Sequence, residues 1–250
     1  MEKKNFIKIV FALALLVFAS FAAWRESAQA NLKTGIALYV SSNPAAEDVL
    51  RTGVDKNGGD YLLRYYAALS LQKNSFAMIA KGMRPDGKLI EAREHLNAAL
   101  DIRFDTADHQ ALGRNFALEG RMGDALAHYN IAFFFSQNTA DLAQMPDIRQ
   151  YQTETARDYF ERGSLGVPLI MAFNTVTGFS PSFAGSPTSR FLESFFSLVP
   201  PDGWISATVE RRGEALKEMY RRQSPGEKEL IAAGLNSAGF VFLSAYMEEK

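Results

Sequence analysis

The chain has 250 residues, of which 47% are hydrophobic and 22% charged, with 27 lysines and arginines against 28 aspartates and glutamates. That balance excludes a disordered or fibrous chain, and a formal charge of −1 excludes the basic footprint of a nucleic-acid binder. Without a cysteine there are no disulfides and no lipidated signal-peptide cysteine, so the core must come from packing alone.

The first thirty residues differ from the rest. Lys3, Lys4 and Lys8 give a positive start, and Ile9 to Trp24 is an uncharged apolar run of 16 residues. Ala28-Gln29-Ala30 then offers small residues where signal peptidase needs them. Residues 1–30 are expected to be a secretory signal cleaved after Ala30. The run is shorter than the roughly 20 residues a spanning helix usually needs. Because Arg25 and Glu26 are unusual so near a cleavage site, an uncleaved anchor is the alternative. Either way, positive residues ahead of the apolar run place the remainder outside the cytoplasm. The periplasm is the default compartment, with attachment to the inner membrane if the segment stays. Cleavage would remove four of the 27 basic and two of the 28 acidic residues, leaving a near-neutral −3.

Ile36 to Val40 is the one short strand candidate. Asn43-Pro44 opens a helix over 45–53, capped by Asn43 and stopped by Gly53. Asp60 caps the next, Tyr61 to about Gln72, where Leu62, Tyr65, Tyr66 and Leu69 recur at three and four. Asn74 to Gly87 is less regular and holds the turn signal Pro85-Asp86-Gly87. Leu89, Ala92, Leu96, Ala99 and Leu100 form one stripe of a helix from Leu89 to Ile102. Further helices are expected over 106–119, 124–136 and 146–162, ended by Gly120 and Gly163. Residues 163–203 hold five of the nine prolines and five glycines, yet remain rich in Phe, Leu and Ile. A long segment of that kind packs on something. Trp204 to Arg222 reads as a helix. Ser224-Pro225-Gly226-Glu227 is a capping box opening a last helix to about Glu248. The apolar stretch from Leu230 to Met247 is read as a buried terminal helix, with a second membrane helix as the rival.

One spacing stands out. Leu112-Gly113 is followed by Phe116, Gly120, Ala125, Tyr129 and Ala132. Gly113, Ala125 and Ala132 are small where two antiparallel helices would touch, and Phe116 and Tyr129 fill the space beside them. A glycine inside a helix costs about 1 kcal/mol against alanine, so Gly113 needs such a contact. The pattern closely resembles the tetratricopeptide repeat, with His109 and Gln137 departing from the family's first aromatic and final proline. A stretched copy precedes it, with Ala67, Ala92 and Ala99 at matching places and an insertion between. A half copy follows, with Ala156, Tyr159 and Gly163, after which Pro168 is expected to abolish the second helix. The resemblance covers roughly residues 60–163. It implies partner binding on a concave face lined by the first helices, which here means Tyr61, Arg64, Ala68, Gln72, Gln110, Arg114 and Ala117. Arg64 and Arg114 would suit a carboxylate.

Catalytic signals are weak. His95, His109 and His128 have no HExxH spacing, although His109 and His128 could approach across a hairpin. Ser70-Leu71-Gln72-Lys73 matches the serine–lysine motif of penicillin-recognising enzymes, but the order of the other short motifs and the missing sheet argue against it. No catalytic residue, metal ligand or cofactor is assigned. Glu91, Glu94 and Glu119 read as surface charge.

The expected fold is all-α. Tetratricopeptide-like antiparallel hairpins over 31–163 stack as a short solenoid, 164–203 is irregular, and helices in 204–250 pack on the repeat region. The expected function is an exported adaptor or assembly factor of the bacterial cell envelope that binds a protein or peptide. No nucleic acid is involved, and a membrane only through the N-terminal segment. One alternative is a small-ligand or lipid binder using Phe173, Phe179, Phe183, Phe191, Phe195 and Phe196. The other is an envelope hydrolase with its site in the same segment.

Overall fold

The computed structural model describes residues 3–85, 87–136, 148–178 and 185–249. Among them every regular element is a helix, thirteen in number, and the sole pairing of extended backbone is an isolated bridge between Ser164 and Thr208. The chain divides into two compact units, residues 1–103 and 104–250. The boundary thus falls inside the region read from sequence as one repeat array.

The first unit holds α1 (Lys3–Val40), α2 (Ala46–Lys56), α3 (Tyr61–Ile79) and α4 (Lys88–Ile102). Helix α1 runs without a break through the expected cleavage site after Ala30, and Ile36–Val40 is its last turns rather than a strand. Packing overrides the local β preference here. Gly35 lets α1 lie against Leu50 of α2, whose Cγ would stand 2.4 Å from an added Cβ. Ala28 and Leu32 are buried with Leu50, Val54, Leu63 and Ala67 in one apolar cluster. Gly53 does not stop α2. It is a buried contact glycine, where a Cβ would meet Leu63 at 2.5 Å, and the helix continues to Lys56. Asp60 caps α3 as expected, accepting from the Leu63 amide, but the helix runs to Ile79, seven residues past the expected Gln72. Ala92, Leu96 and Ala99 of α4 are fully buried.

The second unit begins with the hairpin α5 (Thr106–Leu118) and α6 (Met122–Ser136). Asp105 caps α5 through the Ala107 amide, and Gly120 turns the chain with a φ of 76°. Then come α7 (Ile148–Glu161) and α8 (Gly166–Gly178), a pair that includes the helix Pro168 was expected to abolish. Pro168 sits in the first turn of α8, where the missing N–H has no helical acceptor in any case. The 163–203 segment is therefore largely ordered as helix, continuing with α9 (Pro187–Phe196) and the short α10 (Pro201–Ile205). Phe179 and Phe183 lie outside the described residues.

The expected helix from Trp204 is broken at Ser206–Thr208, because that backbone pairs elsewhere. The Ala207 carbonyl accepts from Leu165 and Gly166, and the Val209 amide donates to Gly163. An added Cβ on Gly166 would fall 1.5 Å from the Trp204 carbonyl oxygen, so this crossing admits only glycine. Thr208 caps α11 (Val209–Arg221). The capping box of Ser224 and Glu227 opens α12 (Pro225–Ser237) as expected, but Gly239, with a φ of 92°, separates it from α13 (Val241–Glu248). The C-terminal stretch is thus two short helices rather than one. Among the described residues no helix is long and apolar enough to cross a membrane.

Candidate functional site

The hairpin α5–α6 closes as its spacing requires. Leu112, Gly113, Phe116, Ala125, Tyr129 and Ala132 are all buried. Gly113 lies so close to Tyr129 that an added Cβ would stand 2.5 Å from the ring. The next residue, Arg114, is exposed on the outer face of α5, with Gln110 and Ala117 half-buried beside it.

The corresponding residues of α3 fare differently. Ala68 and Gln72 are buried, so they offer nothing to a partner. Tyr61 stacks on Tyr65 at 6.0 Å and carries Arg103 over its ring at 4.0 Å. Arg64 donates from Nε to the Gly58 carbonyl, so its guanidinium ties down the α2–α3 loop. Helix α3 is packed against α4, α2 and α1, and these neighbours turn part of the supposed outer face inward. Of the residues that the resemblance implied, Arg114 is exposed and Tyr61, Arg64, Gln110 and Ala117 are half-buried.

Polar side chains gather in three clusters. In the first unit, Arg51 of α2 grips Glu91 of α4 in a two-pronged ion pair of 2.7 and 2.6 Å. Buried Glu47 accepts from Asn74 at 2.8 Å and pairs with Lys88, so α2, α3 and α4 are cross-linked. The Arg51 hydrogen bond holds the Glu91 carboxyl below its usual range, which leaves no proton to give. In the second unit, Asn130, Gln152 and Asn174 from α6, α7 and α8 form a buried amide triad. Asn130 and Gln152 exchange hydrogen bonds of 3.2 and 2.7 Å, and Asn174 donates to the Asn130 carbonyl at 2.8 Å. Neither cluster has a spacing signal in the sequence, because its members come from different helices.

The third cluster, also in the second unit, is the histidine pair. His109 and His128 meet across the hairpin with Nδ1 atoms 2.9 Å apart, so one imidazole donates and the other accepts. Phe116 stacks on His128 at 5.3 Å and Phe104 leans on His109 at 5.5 Å. Burial pushes His109 down to about 3, helped by the facing His128, and pushes His128 down to about 4. Both rings are neutral at physiological pH. They fill the hairpin as neutral rings with one internal hydrogen bond. Among the described residues no group of three or more His, Cys, Asp or Glu side chains is placed to hold a metal ion.

The serine–lysine tetrapeptide is not assembled into a site. The Ser70 hydroxyl donates to the Ala67 carbonyl, whereas Lys73 donates to the Tyr39 carbonyl at 3.0 Å and lies over its ring. Of the phenylalanines described in the 163–203 segment, Phe191 borders a small hollow of about 170 Å³ together with Pro187, Arg190, Ser194, Gln223, Glu227 and Ile231. Phe191, Phe195 and Phe196 are buried, and Phe173 and Phe196 join Phe134 and Trp204 in a cluster of mutually tilted rings. They are core.

Two apolar features are exposed. The end of α3 presents Phe76, Ile79 and Met83 beside Lys81 and Arg84. The segment lacks a clean period because its apolar residues point out. The second is α1 from Leu13 to Trp24, exposed at every position. No family model matches this chain, and no curated protein or solved structure matches it either.

Proposed function

We propose that the chain is a helical-hairpin adaptor or assembly factor of the bacterial cell envelope, which binds a protein or peptide partner over the outer face of α5. The observation that carries this reading is the Gly113–Tyr129 contact. The small and large residues of the repeat spacing close the hairpin, which supports reading exposed Arg114 and half-buried Gln110 as part of the partner face. A guanidinium at that place suits a carboxylate of the partner. The ionic cross-links of α2, α3 and α4 and the buried amide triad support a rigid scaffold.

The test places a photo-crosslinking amino acid at Gln110, Arg114 and, as a control, exposed Glu229 of the full chain in its native host. One recurrent partner captured from 110 and 114 but not from 229 is the expected result. Capture that is indifferent to position, or absent from 114, overturns the assignment of this face.

A further inference from the structure

From Leu13 to Trp24 helix α1 presents Leu-Ala-Leu-Leu-Val-Phe-Ala-Ser-Phe-Ala-Ala-Trp, and every residue is exposed. Val17 and Phe18 are 69% and 72% exposed, and Leu16 is 64%. Twelve helical residues make more than three turns, so the apolar surface covers all sides of the helix. That excludes two common fates. A helix docking on a protein buries one stripe, and a helix lying in a membrane surface keeps a polar face. This one has neither a stripe nor a polar face. Its single polar side chain, Ser20, donates to the Leu16 carbonyl at 2.8 Å and is satisfied inside the helix. A medium that is apolar on every side and offers no hydrogen bonds is the hydrocarbon of a lipid bilayer.

Beyond Trp24 the environment of the helix changes, and by Ala28 it is part of the folded body of the first unit. Lys56 donates to Ser27 at 2.7 Å, Ala28 is fully buried, and Gln29 donates to the capping carboxylate of Asp60 at 3.0 Å. A cut after Ala30 would take all three from the first unit. At the junction, Phe21, Trp24, Arg25, Lys56 and Asn57 surround a hollow of about 220 Å³. Aromatic rings next to cations are what a headgroup layer favours. Leu13 to Trp24 measures about 18 Å along the axis, more than one leaflet of a hydrocarbon core about 30 Å thick.

We propose that the Leu13–Trp24 segment of α1 is inserted in a lipid bilayer and stays on the protein, with Trp24, Arg25 and Lys56 seating the first unit at the headgroups. The signal-like N-terminus is then an anchor continuous with the fold rather than a leader. The inference is independent of the adaptor reading, since it involves no residue of α5.

The test uses the full chain expressed in a host with signal peptidase. Intact mass and N-terminal sequencing are expected to show residues 1–30 retained; a product beginning at Asn31 overturns the proposal. Purified chain is then mixed with vesicles of three parts zwitterionic to one part anionic phospholipid and floated. Flotation that survives 1 M salt and alkaline carbonate is expected. The double variant Leu16→Glu, Phe18→Glu should lower the floated fraction at least tenfold with an unchanged far-UV circular dichroism spectrum. Release by salt would mean surface adsorption and overturns insertion. So does a chain that stays unfloated as a discrete dimer, where a second copy covers the helix. Cross-linking from position 114 in the double variant separates the two readings, because loss of lipid binding with partner capture intact touches only the anchor.

Discussion

Replacing Gly113 with alanine tests the packing that closes the α5–α6 hairpin. On helix propensity alone the change gains about 1 kcal/mol. In the structure the new methyl would lie 2.5 Å from Cδ1 and Cε1 of Tyr129 and 3.0 Å from its Cζ. Carbon atoms pack at about 3.5–4.0 Å, so the ring must retreat by about 1 Å. Tyr129 is buried, and overpacking of this size costs about 1–3 kcal/mol. The balance is a loss of up to about 2 kcal/mol, or several degrees of melting temperature at about 2–4 °C per kcal/mol. Gly226→Ala is the control: it sits in the first turn of α12 with nothing within 4 Å, so it should be neutral or stabilising. Urea unfolding of the full chain in mild detergent, followed by near-UV circular dichroism, measures both. Adding Tyr129→Leu to Gly113→Ala should recover part of the loss by removing the clash. If Gly113→Ala stabilises the chain as much as Gly226→Ala, the close approach of α5 to α6 is wrong, and with it the reason for reading a repeat.

The amide triad predicts that Asn130→Leu destabilises the second unit by about 1–3 kcal/mol, since Gln152 loses both of its hydrogen bonds to the Asn130 side chain while Asn174 keeps its bond to the residue-130 backbone carbonyl. An Asn130→Leu protein as stable as the parent in the same urea titration would show the triad to be dispensable. The histidine pair predicts acid sensitivity. Both folded-state pKa values lie below the unfolded value near 6.5, so the unfolded chain binds more protons over that interval. The stability the neutral pair contributes is complete above about pH 6.5 and is lost as pH falls through about 4 and then 3. The loss is on the order of a few kcal/mol at the acid end. Equilibrium unfolding at pH 7.5, 5.5 and 4.5 should show the decline in the parent and a shallower one in His128→Phe; parallel curves would refute the assignment.

Local structure was largely legible. The caps at Asp60 and Ser224 were readable because a cap is made by residues three positions apart. The hairpin at 106–136 was readable because its small and large residues repeat at helical spacing. The exposure implied for Ala68 and Gln72 failed for a physical reason: which side of α3 meets solvent depends on the helices packed around it, and these come from elsewhere in the chain. Pro168 misled because proline breaks a helix only beyond the first turn, and the sequence does not say where α8 begins. The break at 206–208 exists because the 163–166 backbone pairs with it, a contact across about forty residues.

By itself, then, the amino-acid sequence determined the helical class, the caps at Asp60 and Ser224 and the hairpin register, all set by forces acting within a few turns. The helix expected to be capped by Asn43, by contrast, starts after Ala45 with no side-chain cap. Tertiary structure alone decided that α1 continues through Ala30 into the core and that the described phenylalanines of 163–203 are packing. It also decided that the imidazoles of His109 and His128 meet across the hairpin and share one hydrogen bond. Burial decides each of these, and burial is a property of neighbours brought from elsewhere in the chain.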